Sequence, residues 1–267
     1  MENTILAQDL SIARAFFDKI DGQSANNILT DPKLSIERDG NIQVCYSPFD
    51  HIEKSARLVI VGITPGMTQA VNALNALNDA KLAGKSIEEA LRTAKMTASF
   101  SGAMRSNLVE MLDFVGVADL LHIQSTASLF EFGSTDMHFT SALRYPVFVD
   151  DKNYAGNPSM LKTQLLRSMV ETHLAEEAKL LPNAIWLPLG PLAEEAVLHV
   201  AGQGHLKRNN ILVGMPHPSG ANAERIAVFT GRKSPSLASI KTNSDKLLHA
   251  ADRLKKQIAN LKLGEAA

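Results

Sequence analysis

The segment LVIVGITPG, Leu58–Gly66, decides how we expect this chain to fold. Its four leading apolar residues are typical of a strand that is buried on both faces, as the central strands of parallel sheets are. A turn rich in glycine and proline follows at once, and such a turn can bring backbone amides close to a ligand. Taken alone, the turn is also compatible with a nucleotide site or with a purely structural role.

Short apolar segments alternate with helical patterns along the rest of the chain. Strands are predicted at 137–149, 184–189 and 210–215, and helices at 160–174 and 191–200. This alternation favours an α/β fold in which helices cover a mainly parallel sheet. Ligands of such sheets usually bind in the crevice beyond the carboxyl ends of the strands. We therefore expect the turns at 62–66 and 216–222 to lie at the functional edge.

Three further helices are predicted outside this alternation. Two segments rich in Ala, Leu and Lys, at 68–82 and 86–96, are joined through Gly84 and form either a lid or part of the packed core. Near the end of the chain, apolar residues recur at helical spacing and predict a helix at about 243–262 that docks on the core, with basic residues on its other face.

Length and composition favour a single domain in a reducing compartment. With 267 residues and 45% hydrophobic composition, the chain can form one large α/β domain or two small ones, and we expect one. The N-terminal sequence carries acids within an amphipathic pattern and does not resemble a signal sequence, so a cytoplasmic protein is expected. Because Cys45 is the only cysteine, one chain can form neither a disulfide nor a cysteine-ligated cluster.

The basic residues are concentrated in one part of the chain. The formal net charge is only -1, but the stretch 205–241 contains a single acid, Glu224. Its basic residues are Lys207, Arg208, Arg225, Arg232, Lys233 and Lys241. Such a stretch is expected in a nucleic-acid-binding face, although a solvated surface that is neutralised by other parts of the chain has the same composition.

The second motif is MPHPSGAN, Met215–Asn222, which follows the apolar segment at 210–215 and sets His217 between two prolines. A glycine turn after one strand and an HPSG sequence after another, about 150 residues later, resemble the two signature motifs of the uracil-DNA glycosylase superfamily. Members of that superfamily remove a base that has been flipped out of DNA.

Three intermediate segments agree with this resemblance in their order along the chain. SFSG at 99–102, with a helical pattern at 107–114, resembles the segment that supplies an aromatic ring to stack on the extruded pyrimidine. HFTSALRYP at 138–146 resembles the strand whose end reads the base edge, and IWLPLGPLAEEAV at 185–197 resembles the strand and helix before the second motif. The resemblance covers about 57–231 and implies a three-layer αβα domain with a central four-stranded, mainly parallel sheet.

The resemblance also implies the residues of a site. The base-binding residues would be Gly62, Ile63, Pro65, Gly66, Phe100 and Ser141. The DNA-contacting residues would be Ser219, Gly220, Ala221, Asn222 and Arg225. His217 is the candidate catalytic residue, because a hydrogen-bond donor can stabilise the charge that develops on the departing base. A histidine after a strand is also often a structural hydrogen-bonding residue, and Phe100 is alternatively a core residue.

The sequence departs from the family pattern at three places. Thr64 stands where active relatives commonly carry Asp or Asn, and threonine can orient a water molecule but is a poor general base. Ser141 stands where an asparagine usually reads uracil. These shorter side chains leave room for a base with extra substituents. No large apolar side chain follows the HPS sequence, so base extrusion would need another loop or a single-stranded substrate.

These observations lead to one expected function and two alternatives. We expect a monofunctional DNA glycosylase that removes a damaged or modified pyrimidine, with His217 and Thr64 as its catalytic residues and without a metal, an iron-sulfur cluster or any other cofactor. A conventional uracil-DNA glycosylase is the first alternative. A base-sensing DNA-binding module that has lost efficient cleavage is the second. The expected partner is single- or double-stranded DNA, not a membrane, and the expected state is a monomer.

Overall fold

The helices and strands lie in the part of the chain that the computed structural model describes, residues 7–26 and 28–261. The α-helices are α1 Ser11–Phe17, α2 Met67–Leu82, α3 Ile87–Ala98, α4 Ala103–Val115, α5 Val117–Leu121, α6 Gln164–Met169, α7 Ala175–Leu180, α8 Pro191–Gly202, α9 Ala223–Phe229 and α10 Ser244–Asn260. A π-helical turn, Val170–Leu174, joins α6 to α7. The strands are β1 Ser35–Asp39, β2 Ile42–Cys45, β3 Leu58–Gly62, β4 Met137–Ser141, β5 Val147–Val149, β6 Lys152–Asn153 and β7 Ile185–Pro188.

The predicted first strand is the centre of a parallel sheet. β3 pairs in parallel with β4 on one side and with β7 on the other. All five residues of β3 are buried, which agrees with its uninterrupted apolar sequence. Because Gly62 pairs with Ser141 at the ends of their strands, the segments that follow β3 and β4 leave the sheet side by side.

The sheet has three strands rather than the four that we predicted. The fourth segment, Ile211–Met215, pairs with the β7 region only through single bridges at its two ends, Ile211 with Trp186 and Met215 with Leu189. Gly214 interrupts it, because its φ of +108° departs from the extended conformation that a continuous ladder requires. The segment nevertheless runs parallel to β7 and delivers the second motif to the same edge.

Helices cover both faces of the parallel sheet, as predicted for an αβα arrangement. Val59 and Val61 belong to a core cluster that includes the buried faces of α2, α3 and α8. Leu58 and Ile60 belong to a second cluster, which includes the buried faces of α4, α9 and α10. Of the two alternatives for α2 and α3, packing in the core is therefore the one that agrees with the structure.

A second sheet was not predicted. It is antiparallel, with the order β1-β2-β5-β6, and it separates the predicted 137–149 strand into β4 and β5. The reason is a sharp change of direction between Ser141 and Val147, after which β5 pairs with β2. β6 then brings Asn153 to the start of α2, where its Oδ1 accepts a hydrogen bond from the Met67 amide at 2.9 Å.

The predicted terminal segments lie partly outside the described residues. The expectation about a signal sequence concerns the first residues, and positions 1–6 are outside; the predicted C-terminal helix is present as α10 up to Asn260, and position 262 is outside. Within residues 7–26 and 28–261, none of the helices has both the length and the apolar character needed to cross a membrane.

Candidate functional site

A cavity of about 470 Å³, here named the edge cavity, lies at the carboxyl edge of the parallel sheet. Ten predicted site residues line it: Gly62, Ile63, Thr64, Pro65, Gly66, Phe100, Ser141, His217, Ser219 and Asn222. The two motifs thus lie together at the carboxyl edge of the sheet, as we expected for turns that follow parallel strands. Three predicted DNA-contacting residues, Gly220, Ala221 and Arg225, are not part of its lining.

Gly62 brings the side chains of Ser141 and Phe100 together at the edge cavity. A Cβ atom at this position would lie 3.4 Å from the Ser141 Oγ and 3.5 Å from the Phe100 Cζ. Both side chains therefore meet at the end of β3, where a larger residue would push into the space that they border. A Cβ atom alone would be in ordinary van der Waals contact with both atoms, so only a side chain that extends beyond Cβ would occupy that space.

Phe100 occupies the turn between α3 and α4 with a φ of +48°. Positive φ is uncommon for a bulky residue and is often found at functional sites. The ring is 5% exposed and packs against Phe139 at a centroid distance of 5.8 Å. Phe100 thus belongs to the core and also borders the edge cavity. Its stacking on an extruded base stays a prediction.

His217 is neutral and keeps one ring proton with which to donate a hydrogen bond. Its Nδ1 accepts a hydrogen bond from the Ser219 amide at 3.2 Å, so the single proton of the neutral ring lies on Nε2. Burial lowers the pKa of His217 below its usual value, which keeps the ring neutral near pH 7. Among the described residues, Nε2 has no hydrogen-bond partner and is free to donate to a ligand.

Side-chain hydrogen bonds hold the loop around His217. The Asn222 amide nitrogen donates to the His217 carbonyl and to the Ser219 Oγ, both at 3.2 Å, and its oxygen accepts from Arg225. From α4, the Asn107 side chain donates to the Pro218 carbonyl at 2.8 Å. Asn222 was predicted to contact DNA; here its amide is engaged within the loop that it braces.

Thr64 borders the edge cavity, but its hydroxyl is engaged elsewhere. Its Oγ1 donates to the Tyr145 carbonyl at 3.1 Å and accepts from the Val147 amide at 3.2 Å. These bonds tie the turn after β3 to the segment between the two sheets. The only proton of this hydroxyl is therefore committed, and one lone pair remains to accept a hydrogen bond, so a role of Thr64 in orienting water stays a prediction.

The turn after β3 also uses its own side chains to satisfy backbone amides. The Gly66 amide donates to the Gln69 Oε1 at 3.1 Å, and the next amide donates to Asn153. These two amides, where α2 begins, are therefore already paired. The expectation that the turn offers backbone donors to a ligand does not hold for them.

Several lining residues were missed by the sequence analysis, and Lys95 is the most informative. It is 2% exposed and donates to the His51 carbonyl at 2.6 Å, and burial lowers its pKa to about 8. A signal was present, since Lys95 is the charged residue on the otherwise apolar face of α3. The other missed polar residues of the lining are Thr68, Gln69, Ser99, Thr140, Arg144, Asn153 and Tyr154.

A buried polar cluster extends from Lys95 and Arg144 behind the edge cavity. Glu177 is completely buried and accepts hydrogen bonds from the Arg144 Nε at 3.0 Å and the His138 Nε2 at 3.1 Å. Burial opposes its ionisation, but the charges of Arg144 and Lys95 and the bond from His138 hold the pKa of Glu177 well below its usual range. Although acids and a histidine meet here, no group of three or more His, Cys, Asp or Glu in ranges 7–26 and 28–261 could hold a metal ion.

The histidines of this cluster predict acid sensitivity. Burial lowers the pKa of His138 and His173 to about 4, and the His138 Nδ1 accepts the Glu53 amide, which also favours a neutral ring. The unfolded chain therefore binds more protons than the folded one below pH 6.5, and stability is lost as the pH falls from 6.5 to about 4. Thermal unfolding followed across this range should show a falling midpoint, and His138→Gln should flatten the change. A constant midpoint in the wild-type protein would contradict this assignment.

The predicted basic face is divided by the fold. Lys207 and Arg208 precede the segment Ile211–Met215, so they lie at the amino edge of the sheet, opposite His217. Arg232 pairs with Glu110, and Lys233 pairs with Glu224. Lys207 and Arg208 therefore do not share a face with His217, and local acids neutralise Arg232 and Lys233, as expected for the alternative of a solvated surface. DNA binding by this stretch stays a prediction.

A comparison with known proteins finds one relative that can be aligned over most of the chain. The "Uncharacterized protein YoxB" of Bacillus subtilis (strain 168) is 36% identical over 211 residues, which are 78% of this chain and 82% of that protein. No protein-family model matches the chain. No solved structure matches it. On the strength of its identity and coverage, the chain belongs to the family of YoxB.

Proposed function

We propose that this protein is a DNA glycosylase that hydrolyses the N-glycosidic bond of a modified pyrimidine flipped out of DNA and leaves an abasic site. One observation carries the proposal. The two motifs at 62–66 and 216–222, far apart in sequence, line one cavity together with Phe100 and Ser141. A glycosylase needs such a cavity, because the bond becomes accessible only after the base has left the stack.

The state of His217 supports a chemical role in this reaction. When the bond between C1′ and the base nitrogen breaks, the electron pair leaves with the base and the sugar becomes oxocarbenium-like. The neutral His217 Nε2–H would donate a hydrogen bond to the negative charge on the base. Water then adds to C1′ and loses a proton, which the base anion takes up through solvent, so the products are the neutral free base and an abasic site.

The proposed substrate class rests on the short side chains at the end of the sheet. Ser141 presents one hydroxyl beside Gly62, where uracil-reading relatives are expected to carry an amide. The space left there favours a pyrimidine with an additional substituent over uracil. We also propose that the fold is that of the uracil-DNA glycosylases, with the segment Ile211–Met215 in the place of the fourth parallel strand.

A base-sensing DNA-binding module is the second candidate, and one observation favours it. Thr64 donates its hydroxyl proton to the Tyr145 carbonyl, and a neutral hydroxyl is too weak a base to take a proton from water, so its side chain supplies no general base. A cavity that binds a flipped base without fast hydrolysis fits this arrangement. The two candidates share the same ligand and differ only in whether the bond is cleaved.

Base release from a panel of oligonucleotides tests the proposal. Wild-type protein and Ser141→Asn should be incubated with single- and double-stranded DNA containing uracil, mismatched bases or pyrimidines with ring substituents, and abasic sites should be counted. We expect the wild type to release a substituted pyrimidine. We expect Ser141→Asn to release it at least about tenfold more slowly and to gain activity on uracil, since the longer amide fills the space and pairs with the uracil edge.

The other outcomes distinguish the candidates. DNA binding without release of any base would contradict the glycosylase and favour the base-sensing module. Efficient release of uracil alone by the wild type would contradict the proposed substrate class. Thermal unfolding of Ser141→Asn serves as the control for folding.

A further inference from the structure

A wide groove of about 1050 Å³, here named the basic groove, adjoins the edge cavity. One wall is the segment 214–217, the opposite wall is the N-terminal half of α10, and α8 begins at its floor with Pro191. His217 and Asn222 line both the groove and the edge cavity. A molecule bound in one can therefore continue directly into the other.

The side chains of the basic groove carry an excess of positive charge. Arg225, Lys241, Lys246 and Arg253 line it, with His249, against the acids Glu194 and Asp245. All four cationic residues are exposed. None of the four forms an ion pair within residues 7–26 and 28–261, whereas Arg232 and Lys233 do. The cations of the groove are therefore available to an anionic ligand, although the chain as a whole is slightly acidic.

Close packing fixes the distance between the two walls. Gly214 has a φ of +108°, and a Cβ atom there would lie 2.9 Å from the Arg253 Nη2 and 3.2 Å from the Ala250 Cβ. The buried residues Ala251 and Leu254 anchor the same helix in the core. The cationic face of α10 is thus held beside the loop that carries His217.

The helix ends add to the attraction for anions. Both α8 and α10 begin at the basic groove, with residues 190–194 and 243–247 in its lining. The N-terminus of a helix carries a partial positive charge. This contribution supplements the four cationic side chains and has the same sign.

We propose that the basic groove binds the phosphodiester backbone of DNA next to the nucleotide whose base enters the edge cavity. The inference that a flipped base enters the edge cavity rests on the proposed function. The positive charge of the groove is independent of it. The repeated negative charge of a nucleic-acid strand matches four cations that form no ion pair in the described chain and that are spread over three chain segments. Residues of α10 thereby form a DNA-binding surface together with the second motif.

Salt-dependent binding of DNA by a double variant, Lys241→Gln with Lys246→Gln, tests this inference. Both side chains are exposed and neither forms an ion pair in the described chain, so the change leaves the core intact. The matched control is Lys207→Gln with Arg208→Gln, which removes two exposed charges at the opposite edge of the sheet. The ligand is a labelled duplex with a stable abasic-site analogue, and fluorescence anisotropy gives Kd between 50 and 200 mM salt.

We expect the groove variant to bind at least about fivefold more weakly at low salt, with a slope of log K against log salt that is smaller by roughly 1 to 2, because two phosphate contacts are lost. The control should bind like the wild type. Unchanged affinity and slope in the groove variant, or an equal loss in the control, would overturn the inference. Tighter binding of an RNA duplex of the same sequence would overturn the assignment to DNA. The assay measures binding and not base release. Its result therefore tests the groove even if the protein turns out not to cleave any base.

Discussion

Replacing His217 with alanine is expected to lower base release at least about tenfold while fold and DNA affinity are retained. The expected size follows from the loss of one hydrogen bond to a developing charge, which costs more than about 1.4 kcal/mol of transition-state stabilisation. The fold should persist, because the ring is half-buried and its only hydrogen bond within the described chain is the one that Nδ1 accepts from the Ser219 amide.

Single-turnover release of the best base in the panel is the appropriate measurement, since it separates the chemical step from binding and product release. His205→Ala provides a matched control, because this histidine is also half-buried but lies before the segment Ile211–Met215, at the other edge of the sheet. The control should keep wild-type rates. Equal rates for wild type and His217→Ala would remove His217 from the reaction and leave it a structural residue of the loop.

Replacing Glu177 with alanine is expected to destabilise the protein by about 3–5 kcal/mol. This carboxylate is completely buried, and its loss leaves the Arg144 guanidinium without its main counter-charge and His138 without its acceptor. A buried charge that loses its partner has a cost of this size. Because Arg144 borders the edge cavity, we also expect weaker ligand binding in whatever fraction remains folded.

Urea denaturation gives the free energy of unfolding of Glu177→Ala. Glu176→Ala is the matched control, because Glu176 also accepts a hydrogen bond from Arg144. Glu176 accepts from the Arg144 Nη2 at 3.0 Å, but its side chain is 23% exposed. Its replacement should therefore cost about 1 kcal/mol or less. If Glu177→Ala does not fold, Glu177→Gln keeps an acceptor for Arg144 and should show a smaller loss. Equal, small losses at both positions would contradict a structural role for the buried pair.

The central features of the fold were predictable because they depend on local sequence. The apolar run of β3 and the glycine turn after it indicated a central strand, and the structure buries every residue of that strand. The antiparallel sheet was not predictable in the same way. β1 has the sequence Ser-Ile-Glu-Arg-Asp, with mainly exposed residues, and its pairing with β2 provides no strong apolar signal.

The meeting of the two motifs was predictable from topology alone. Parallel strands present their carboxyl ends at one edge, so turns after β3 and after Ile211–Met215 had to lie together. The precise hydrogen bonding was not predictable. Thr64 bonds to backbone atoms 81 and 83 residues away, and only tertiary structure shows that its hydroxyl is engaged.

Charge was the least predictable property of the site. The sequence places Lys207 and Arg208 near the second motif, yet one strand length separates them from it in space. Conversely, Lys246 and Arg253 lie far along the chain from that motif but face it across the basic groove. A count of charges along the sequence cannot show which residues share a face after folding.

The structure of a complex with DNA would show directly whether a flipped base enters the edge cavity. The duplex should contain a substituted pyrimidine whose sugar carries a 2′-fluorine that slows cleavage, and the base should be chosen from the released members of the panel. We expect this base to lie in the edge cavity in contact with Phe100, with the His217 Nε2 within about 3 Å of an acceptor on its ring. A bound duplex in which the modified base remains stacked between its neighbours, outside the edge cavity, would contradict this expectation.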